Sequence, residues 1–341
     1  MTAGERNGMN DPGIPSILVV GGAGYIGAHM VKLLRETGFA VAVADDLSSG
    51  RREAVPGADL HVGDIGDAGF VDGVLRTVRP AAVMHFASFI QVGESVLDPA
   101  KYYRNNVGAT QVLLDGMRAH GVPILIFSST AAIFGDPQYV PIDEAHPPRP
   151  INPYGRSKWM VEQMLADYDA AYGLKSVCLR YFNAAGADPQ GALGECHEPE
   201  THLVPLVLQV ASGRRPHITV HGDDYPTADG SCVRDYIHVA DLCDAHLLAL
   251  RQLLEGAGSA RYNLGNGNGF SVLEVIESAR RVTGHAIPFV IGARRAGDPP
   301  VLVADATAAR ERLGWQPRYA GLDTIVAHAW AWERQHHAWA C

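Results

Sequence analysis

The stretch Gly21-Gly22-Ala23-Gly24-Tyr25-Ile26-Gly27 decides the fold of this chain. It follows an apolar run at 16–20, which predicts a buried strand, and it opens a helical pattern at 25–37 that stops at Gly38. Glycines in such a turn let main-chain N–H groups approach a phosphate that a Cβ would keep away. The last glycine lets the helix pack closely on the strand. Because a strand precedes and a helix follows, the pattern favours a dinucleotide-binding turn over a plain tight turn. Its candidate cofactor contacts are Gly21, Gly24, Tyr25, Ile26 and Gly27.

The sequence around this turn alternates between strand and helix patterns. Apolar runs at 40–44, 81–87 and 123–127 are separated by helical patterns at 67–78 and 100–120. Continuous apolar runs between helices are typical of a parallel sheet that is covered on both faces. The predicted fold class is therefore α/β, a doubly wound parallel sheet of the Rossmann type with a smaller α/β substrate-binding domain.

The domain boundaries follow from a change in pattern near residue 183, where β–α regularity gives way to loops rich in Gly, Pro and His. We expect a disordered leader at 1–15, a nucleotide-binding domain at 16–183 and a mainly substrate-binding domain at 184–341. Segments near 232–245 are expected to return to the first domain. The other helical patterns of the second half lie at 203–211, 239–254, 272–282 and 322–333.

Carboxylates after two of the strands indicate which dinucleotide binds. Asp45 ends the second strand, where an acid bonds the ribose hydroxyls and repels a 2′-phosphate, so NAD is favoured over NADP. Asp64 and Ile65 follow the next apolar stretch and would place a carboxylate near the adenine. The alternative for Asp64 is an ordinary turn at the end of a strand.

A tyrosine and a lysine at helical spacing provide the second chemical signal. Tyr154 and Lys158 lie on one helix face, where an ammonium can lower the phenol pKa from about 10 towards neutrality. The strand that ends in Ser128-Ser129-Thr130 supplies hydroxyls that can bond a substrate oxygen beside the tyrosine. A surface helix with an incidental Tyr–Lys pair is the alternative, but the combination with the glycine loop favours acid–base chemistry.

Composition limits the possible partners. The chain has 341 residues, of which 47% are hydrophobic and 19% charged, with a net charge of −9. It is long enough for about two packed domains. No block of basic residues suggests nucleic acid, and no apolar run reaches the ~18 residues of a membrane helix. Residues 1–15 lack the apolar stretch of a secretion signal, so we expect a cytoplasmic protein.

Taken together, the motifs identify a family. GGAGYIGAH, HFASFIQVGES, FSSTAAIFGD, NPYGRSKWMVE, LRYFNAAGA, VRDYIHVADL and YNLGNG resemble the extended short-chain dehydrogenase/reductases, and within them the UDP-hexose 4-epimerases. The resemblance runs from about residue 17 to about residue 332. It implies NAD as cofactor, a UDP-sugar as substrate and a homodimer through paired helices such as 100–120 and 154–172.

The resemblance also implies site roles. Tyr154 would be the base for the sugar O4, Lys158 would bind the nicotinamide ribose, and Thr130 would bridge O4 and the tyrosine. Further cofactor contacts would be Phe86, Ala87, Asn105 and Phe182. The UDP-sugar positions would be Asn183, His202, Leu203, His221, Arg234, Arg295, Asp298 and Leu302. His202 stands in place of an asparagine found in some members, and His221 in place of an aromatic residue.

The implied reaction is reversible C4 epimerisation of a UDP-hexose through a 4-keto intermediate, with NAD retained. A dehydratase would need acid–base side chains after Thr130, where this chain has Ala131 and Ala132. The resemblance places Leu302 at the position that gates sugar size, where a tyrosine narrows the pocket in some members and a smaller residue admits N-acetylated sugars. Leucine is intermediate in size, which leaves UDP-N-acetylglucosamine or a UDP-pentose as alternative substrates. A catalytically silent NAD-binding protein is the alternative from another class, and the intact Tyr154 and Lys158 argue against it.

No metal is expected. Cys196, His197 and His202 are closely spaced, but they lack a second pair of ligands in the sequence pattern.

Overall fold

The computed structural model describes residues 14–295 and 298–336. The predicted leader at 1–15 lies outside these residues except for its last two. Seven parallel strands form the main sheet in the order β10-β6-β5-β4-β1-β2-β3. They are β1 (Ser16–Val20), β2 (Ala40–Asp45), β3 (Asp59–Val62), β4 (Ala82–His85), β5 (Ile124–Thr130), β6 (Lys175–Tyr181) and β10 (Ala260–Leu264).

Helices cover both faces of this sheet. On one face, apolar side chains of α1 (Tyr25–Glu36) and α8 (Val239–Leu254) pack on alternate residues of the central strands. The other face is covered by α2 (Ala68–Val78), α5 (Thr110–Ala119) and α6 (Pro153–Tyr172). The predicted doubly wound α/β sheet is therefore confirmed. Strand order reverses between β1 and β4, and their carboxyl ends form the crevice in which such sheets bind ligands.

The helix predicted at 100–120 is real but not uniform. It comprises α4 (Pro99–Tyr102), a π-helical segment at Tyr103–Ala109, and α5. The shorter helix α3 (Val92–Leu97) precedes it. Within the π-helical segment the buried Asn106 side chain bonds the main-chain N–H and C=O of Phe89 and the hydroxyl of Ser157. These bonds tie the segment to α6.

Smaller sheets lie in the second half. One contains β7 (Asn183–Ala185), β9 (Val233–His238), β11 (Gly269–Ser271) and β13 (Val301–Leu302); β8 (Ile218–His221) pairs with β12 (Phe289–Gly292). Around them pack α7 (Leu203–Ala211), α9 (Val272–Thr283) and α10 (Leu322–His336). The segment near 232–245 contributes β9 to the smaller sheet and the start of α8 to the large one. In the described part of the chain, no helix is long and apolar enough to cross a membrane.

Candidate active site

The glycine loop joins β1 to α1 at the crevice. Gly21 has φ +75°, and a Cβ there would lie 2.4 Å from the Ala87 main-chain nitrogen after β4. A Cβ on Gly27 would lie 2.1 Å from the Gly21 carbonyl oxygen, so close packing explains this glycine. A Cβ on Gly24 would meet only that same oxygen, at 3.5 Å, and Gly24 caps α1 without a side-chain hydrogen bond. The open side of Gly24 and the uncapped N-terminus of α1 suit a diphosphate.

Asp45 lies beside this loop, at the end of β2. Its carboxylate accepts main-chain N–H bonds from Ala23 at 2.9 Å and Leu47 at 2.8 Å. Burial raises the pKa of Asp45, while the two N–H bonds oppose that increase. Each oxygen keeps a lone pair for a further donor. Asp45 therefore shapes the loop in addition to the ribose contact predicted for it.

The other predicted cofactor contacts differ in their surroundings and exposure. Phe86 follows β4 and stacks 4.9 Å from the His246 ring, whereas Ile65 is buried in the core behind β2 and β4. Asp64 is exposed and accepts the Gly66 N–H at 2.7 Å, a bond typical of a turn. Asn105 is half-buried and donates to the Asn106 side chain at 3.1 Å.

Tyr25 takes part in a contact that the sequence did not indicate. Its hydroxyl donates to the Gly186 carbonyl at 2.8 Å, and its ring meets those of His29 and His197 edge-on. This side chain therefore joins the first turn of α1 to the loop after β7. The neighbouring Ile26 is half-buried against the core that α1 shares with α8.

The candidate proton-transfer pair is assembled where β5 ends and α6 begins. Tyr154 stands in the first turn of α6, which the Asn152 side chain caps through a 2.8 Å bond from the Gly155 N–H. The hydroxyl of Thr130, the last residue of β5, interacts with the Tyr154 phenol and lowers its pKa. Thr130 Oγ1 also accepts the Ala132 N–H at 3.1 Å, which fixes its rotamer.

Lys158 lies one turn further along α6 and is buried. Its ammonium donates to the Ser88 hydroxyl at 2.7 Å and to the Ser128 carbonyl at 2.8 Å, across the ends of β4 and β5. Burial lowers the pKa of Lys158 to about 7, although Glu162 opposes the decrease. Burial raises the pKa of Tyr154, against the opposing effect of Thr130. The lowering of this pKa by Lys158 stays a prediction.

A buried ion pair, which the sequence did not indicate, lies one helical turn from Lys158. Arg180 of β6 binds Glu162 of α6 through Nη2 at 2.6 Å and Nε at 3.0 Å. Glu162 also accepts the Ser129 hydroxyl at 2.6 Å. Glu162 stands one turn after Lys158 on α6, and that spacing was its only signal in the sequence. The contact therefore fixes α6 against β5 and β6.

The predicted nucleotide residues are only partly brought together. Arg234 of β9 is paired with Asp298 and donates to its own strand at the Val233 carbonyl. Leu302 of β13 lies in register with Arg234, and it packs with Phe182 on the apolar cluster of Ala131, Ile133, Phe134 and Ile142. Three of these cluster residues, Ala131, Ile133 and Phe134, come soon after Thr130, so Leu302 packs close to the end of β5.

The remaining predicted contacts lie at the rim or elsewhere. Asn183 begins β7 and is half-buried, and Arg295 is exposed. The His221 ring nitrogen Nδ1 stands 3.3 Å from the Ala293 carbonyl oxygen at the end of β8. Leu203 begins α7 and packs on the core of the second half.

His202 lies in a group of four titratable side chains. Although burial favours neutral imidazole, Glu195 and Glu200 raise the pKa of His202 to about 9. His197 adds a second imidazole at 3.1 Å from Glu195. The premise that these histidines lack a second pair of ligands is therefore wrong, because Glu195 and Glu200 supply it. Carboxylates are metal ligands as well, and a pattern of cysteine and histidine alone does not reveal them.

The comparisons with known proteins agree with this geometry. The profile of the NAD dependent epimerase/dehydratase family matches residues 17–265, and the chain belongs to this family. Its close relatives within the family are UDP-glucose 4-epimerases. The Streptomyces lividans enzyme of that name is 55% identical over 321 residues, covering 94% of this chain and 96% of the relative.

Solved structures give the same result. The UDP-glucose 4-epimerase of Brucella ovis in complex with NAD has a TM-score of 0.90 at 52% identity, covering 93% of this chain and 97% of that one. The UDP-glucose-4-epimerase of Stenotrophomonas maltophila, with bound NAD and formylated UDP-arabinopyranose, has a TM-score of 0.91 at 39% identity. That match covers 96% of this chain and 100% of the other.

Proposed function

We propose that this chain is a UDP-hexose 4-epimerase that interconverts UDP-galactose and UDP-glucose with NAD retained. The observation that carries the proposal is the grouping of Tyr154 with the interacting Thr130 hydroxyl, and with Lys158 one turn away, at the crevice that the glycine loop opens. Membership of the epimerase family and half-identical relatives with this activity support it.

The residues that would hold NAD fit the group. Gly21, Gly24 and Gly27 allow main-chain N–H groups at the start of α1 to meet the diphosphate, and Asp45 keeps lone pairs for the ribose hydroxyls. Lys158 would reach the nicotinamide ribose from its place between β4 and β5. When bound, NAD⁺ supplies the acceptor for the hydride of the sugar C4 and returns it later.

In the proposed mechanism Tyr154 takes the O4 proton from the sugar and returns it at the end. Thr130 holds O4 beside the phenol and orients the proton. Buried as it is, Tyr154 keeps its proton in the protein alone, so it becomes a base only when positive charge is present nearby. The ammonium of Lys158, fixed by Ser88 and Ser128, contributes part of that charge.

The 4-keto sugar must turn over in the pocket before it is reduced on its opposite face. We propose that Arg234, Arg295 and Asp298 hold the UDP while the sugar rotates, with Asn183, His202, Leu203 and His221 as further contacts. Arginine suits this role because its planar guanidinium pairs with phosphate oxygens in two places. The ion pair between Arg234 and Asp298 supports a shared role for these two residues.

UDP-N-acetylglucosamine or a UDP-pentose is the second candidate substrate. Leu302 packs with Phe182 on the apolar wall behind Thr130, and leucine is smaller than tyrosine. A wall of this size supports acceptance of an N-acetyl group at C2.

We propose the domain division, the assembly and the location on related grounds. Residues 16–183 would form the NAD-binding domain together with α8 and β10, and the rest of 184–336 would bind the UDP-sugar. A cytoplasmic homodimer would pair the 100–120 and 154–172 helices. Leu97 at 87% exposure, Val96 at 60% and Met160 at 44% leave apolar surface beside them. Light scattering after gel filtration tests the dimer.

The decisive experiment incubates purified protein with UDP-galactose and no added NAD, and follows UDP-glucose formation. We expect product, because the cofactor stays bound through a cycle without net redox change. Product that forms only after NAD is added would support the epimerisation but contradict the tight retention of NAD. If added NAD gives no product, and UDP-N-acetylglucosamine and a UDP-pentose give none either, the result would favour a catalytically silent NAD-binding protein.

A further inference from the structure

Four side chains of the loop between β7 and α7 converge on one point. They are Glu195, His197, Glu200 and His202, and their ligand atoms all lie within 4.8 Å of one another. His197 Nδ1 stands 3.1 Å from Glu195 Oε1 and 3.8 Å from Glu200 Oε2. His202 Nδ1 contacts the same Glu195 oxygen and lies 3.8 Å from Glu200 Oε1. Two imidazoles and two carboxylates thus face each other in pairs.

Burial makes this arrangement depend on positive charge between the carboxylates, which a protonated imidazole or a bound metal ion can supply. The side chains of Glu195 and Glu200 are only 4% and 5% exposed. In the described ranges, the ion pairs recorded for these two carboxylates are to the imidazoles, and none is to an ammonium or a guanidinium group. Two buried carboxylates side by side repel each other unless positive charge lies between them.

The distances suit a small divalent ion. Zinc binds histidine nitrogen and carboxylate oxygen at about 2.0–2.2 Å, so the ligand atoms of a tetrahedral site lie about 3.3 Å apart. Three of the separations given above, at 3.1, 3.8 and 3.8 Å, lie near that value, while the His202–Glu195 contact is shorter and would have to lengthen around the ion. Imidazole with carboxylate is a ligand set that suits zinc and similar transition ions.

We propose that Glu195, His197, Glu200 and His202 bind a divalent transition-metal ion of the Zn²⁺ class in a closed, four-ligand structural site. Four protein ligands leave no open position on the ion for a substrate, so the ion acts on the loop. His202 would bind the ion through Nδ1 and keep Nε2 for the UDP-sugar contact proposed above.

Neighbouring groups already orient the ligands. Glu200 Oε1 accepts the N–H groups of Thr201 at 2.7 Å and His202 at 2.8 Å. The Trp332 indole of α10 donates to the Glu195 carbonyl at 3.1 Å, and the Tyr25 ring of α1 packs edge-on against His197. Such outer contacts fix ligand geometry in known metal sites. The ion would therefore fasten the loop to α1 and α10 and fix the start of α7.

The test uses the untagged, NAD-containing protein. After dialysis against a chelator, Zn²⁺ is titrated by calorimetry, and the metal content of undialysed protein is measured by mass spectrometry. We expect one ion per chain and a melting temperature that rises with Zn²⁺, because the ion binds the folded chain. Anomalous scattering at the zinc edge should locate the ion between the four side chains.

Two variants make the test specific. The double variant H197Q/E200Q removes one imidazole and one carboxylate, and it should lose more affinity than the ~10–100-fold typical of an outer-shell change. H217Q is the control, because His217 is exposed and outside the group. Retained NAD absorbance and the circular dichroism spectrum verify folding. Absence of Zn²⁺ binding to folded wild-type protein, or unchanged binding to folded H197Q/E200Q, would overturn the proposal.

Discussion

The ammonium of Lys158 donates a 2.8 Å hydrogen bond to the main-chain carbonyl of Ser128. A main-chain acceptor within β5 cannot swing away, so this bond fixes the position of a positive charge relative to the sheet. The Ser88 hydroxyl, after β4, provides the second acceptor at 2.7 Å. The two bonds thereby hold the Lys158 ammonium of α6 at the ends of β4 and β5, close to the residues proposed to transfer the proton.

Removing the proton acceptor should abolish turnover and preserve the fold. We expect Y154F to lower kcat by ~10²–10⁴-fold, because the ring remains and only the hydroxyl is lost. The measurement is UDP-glucose formation from UDP-galactose, with bound NAD quantified after gel filtration. A Y154F protein with wild-type kcat would remove Tyr154 from the mechanism.

Removing the lysine should affect two quantities. We expect K158M to lower both kcat and the amount of NAD retained through gel filtration, since the ammonium serves the phenol and the nicotinamide ribose. S88A is the matched control: it keeps the ammonium and its bond to Ser128, so its loss of NAD should be smaller. Equal retention of NAD by K158M and wild type would show that the cofactor is held elsewhere.

The size of the sugar that the protein accepts should depend on Leu302. We expect the wild type to turn over UDP-N-acetylglucosamine to some degree, and L302Y to lose that activity while UDP-galactose turnover survives. A tyrosine at this place is larger than leucine, so it should narrow the space beside the apolar cluster on which Leu302 packs. Comparing kcat/KM for both sugars tests this; no N-acetyl turnover by the wild type would contradict it.

The buried pair Glu162–Arg180 should dominate local stability. We expect E162Q to reduce the free energy of unfolding by roughly 3–5 kcal/mol, because it leaves a buried guanidinium without its charge partner. R76A, which breaks an exposed pair with Asp72, should barely change stability. Urea unfolding of both variants provides the comparison. A small effect of E162Q would mean that water reaches Arg180.

Acid should destabilise the protein through a buried histidine. Burial lowers the pKa of His246 to about 4, with a partial offset from its bond to the Leu242 carbonyl. Between pH 6.5 and 4 the unfolded chain binds this proton and the folded chain does not, so stability falls as pH falls.

Between pH 6.5 and 4, the free energy of unfolding of H246Q should therefore fall by about 3 kcal/mol less than that of the wild type, whatever constant difference separates the two proteins. Urea unfolding at a series of pH values measures the two slopes. Identical slopes would show that His246 is protonated in the folded state.

Local patterns predicted much of this structure. The helix bounds at 203–211 and 239–254 and the strand at 16–20 agree with those observed, because apolar periodicity and terminal residues determine them. The π-helical segment at 103–109 was not predictable, since it depends on Asn106 reaching Phe89 and Ser157. The raised pKa of Tyr154 could not be predicted for a similar reason. Helical spacing places Lys158 nearby, but burial determines the tyrosine pKa, and the hydrogen-bond acceptors of Lys158 determine where its ammonium lies.

The edge strand β10, at Ala260–Leu264, pairs in parallel with β6 although it follows the smaller sheet's strands β7 and β9 in the chain. During synthesis the large sheet therefore remains incomplete until residue 264 has left the ribosome. A fragment that ends near residue 183 would expose the β6 edge and the face that α8 covers, which invites aggregation. Residues 16–183 are thus a poor candidate for expression as a separate module.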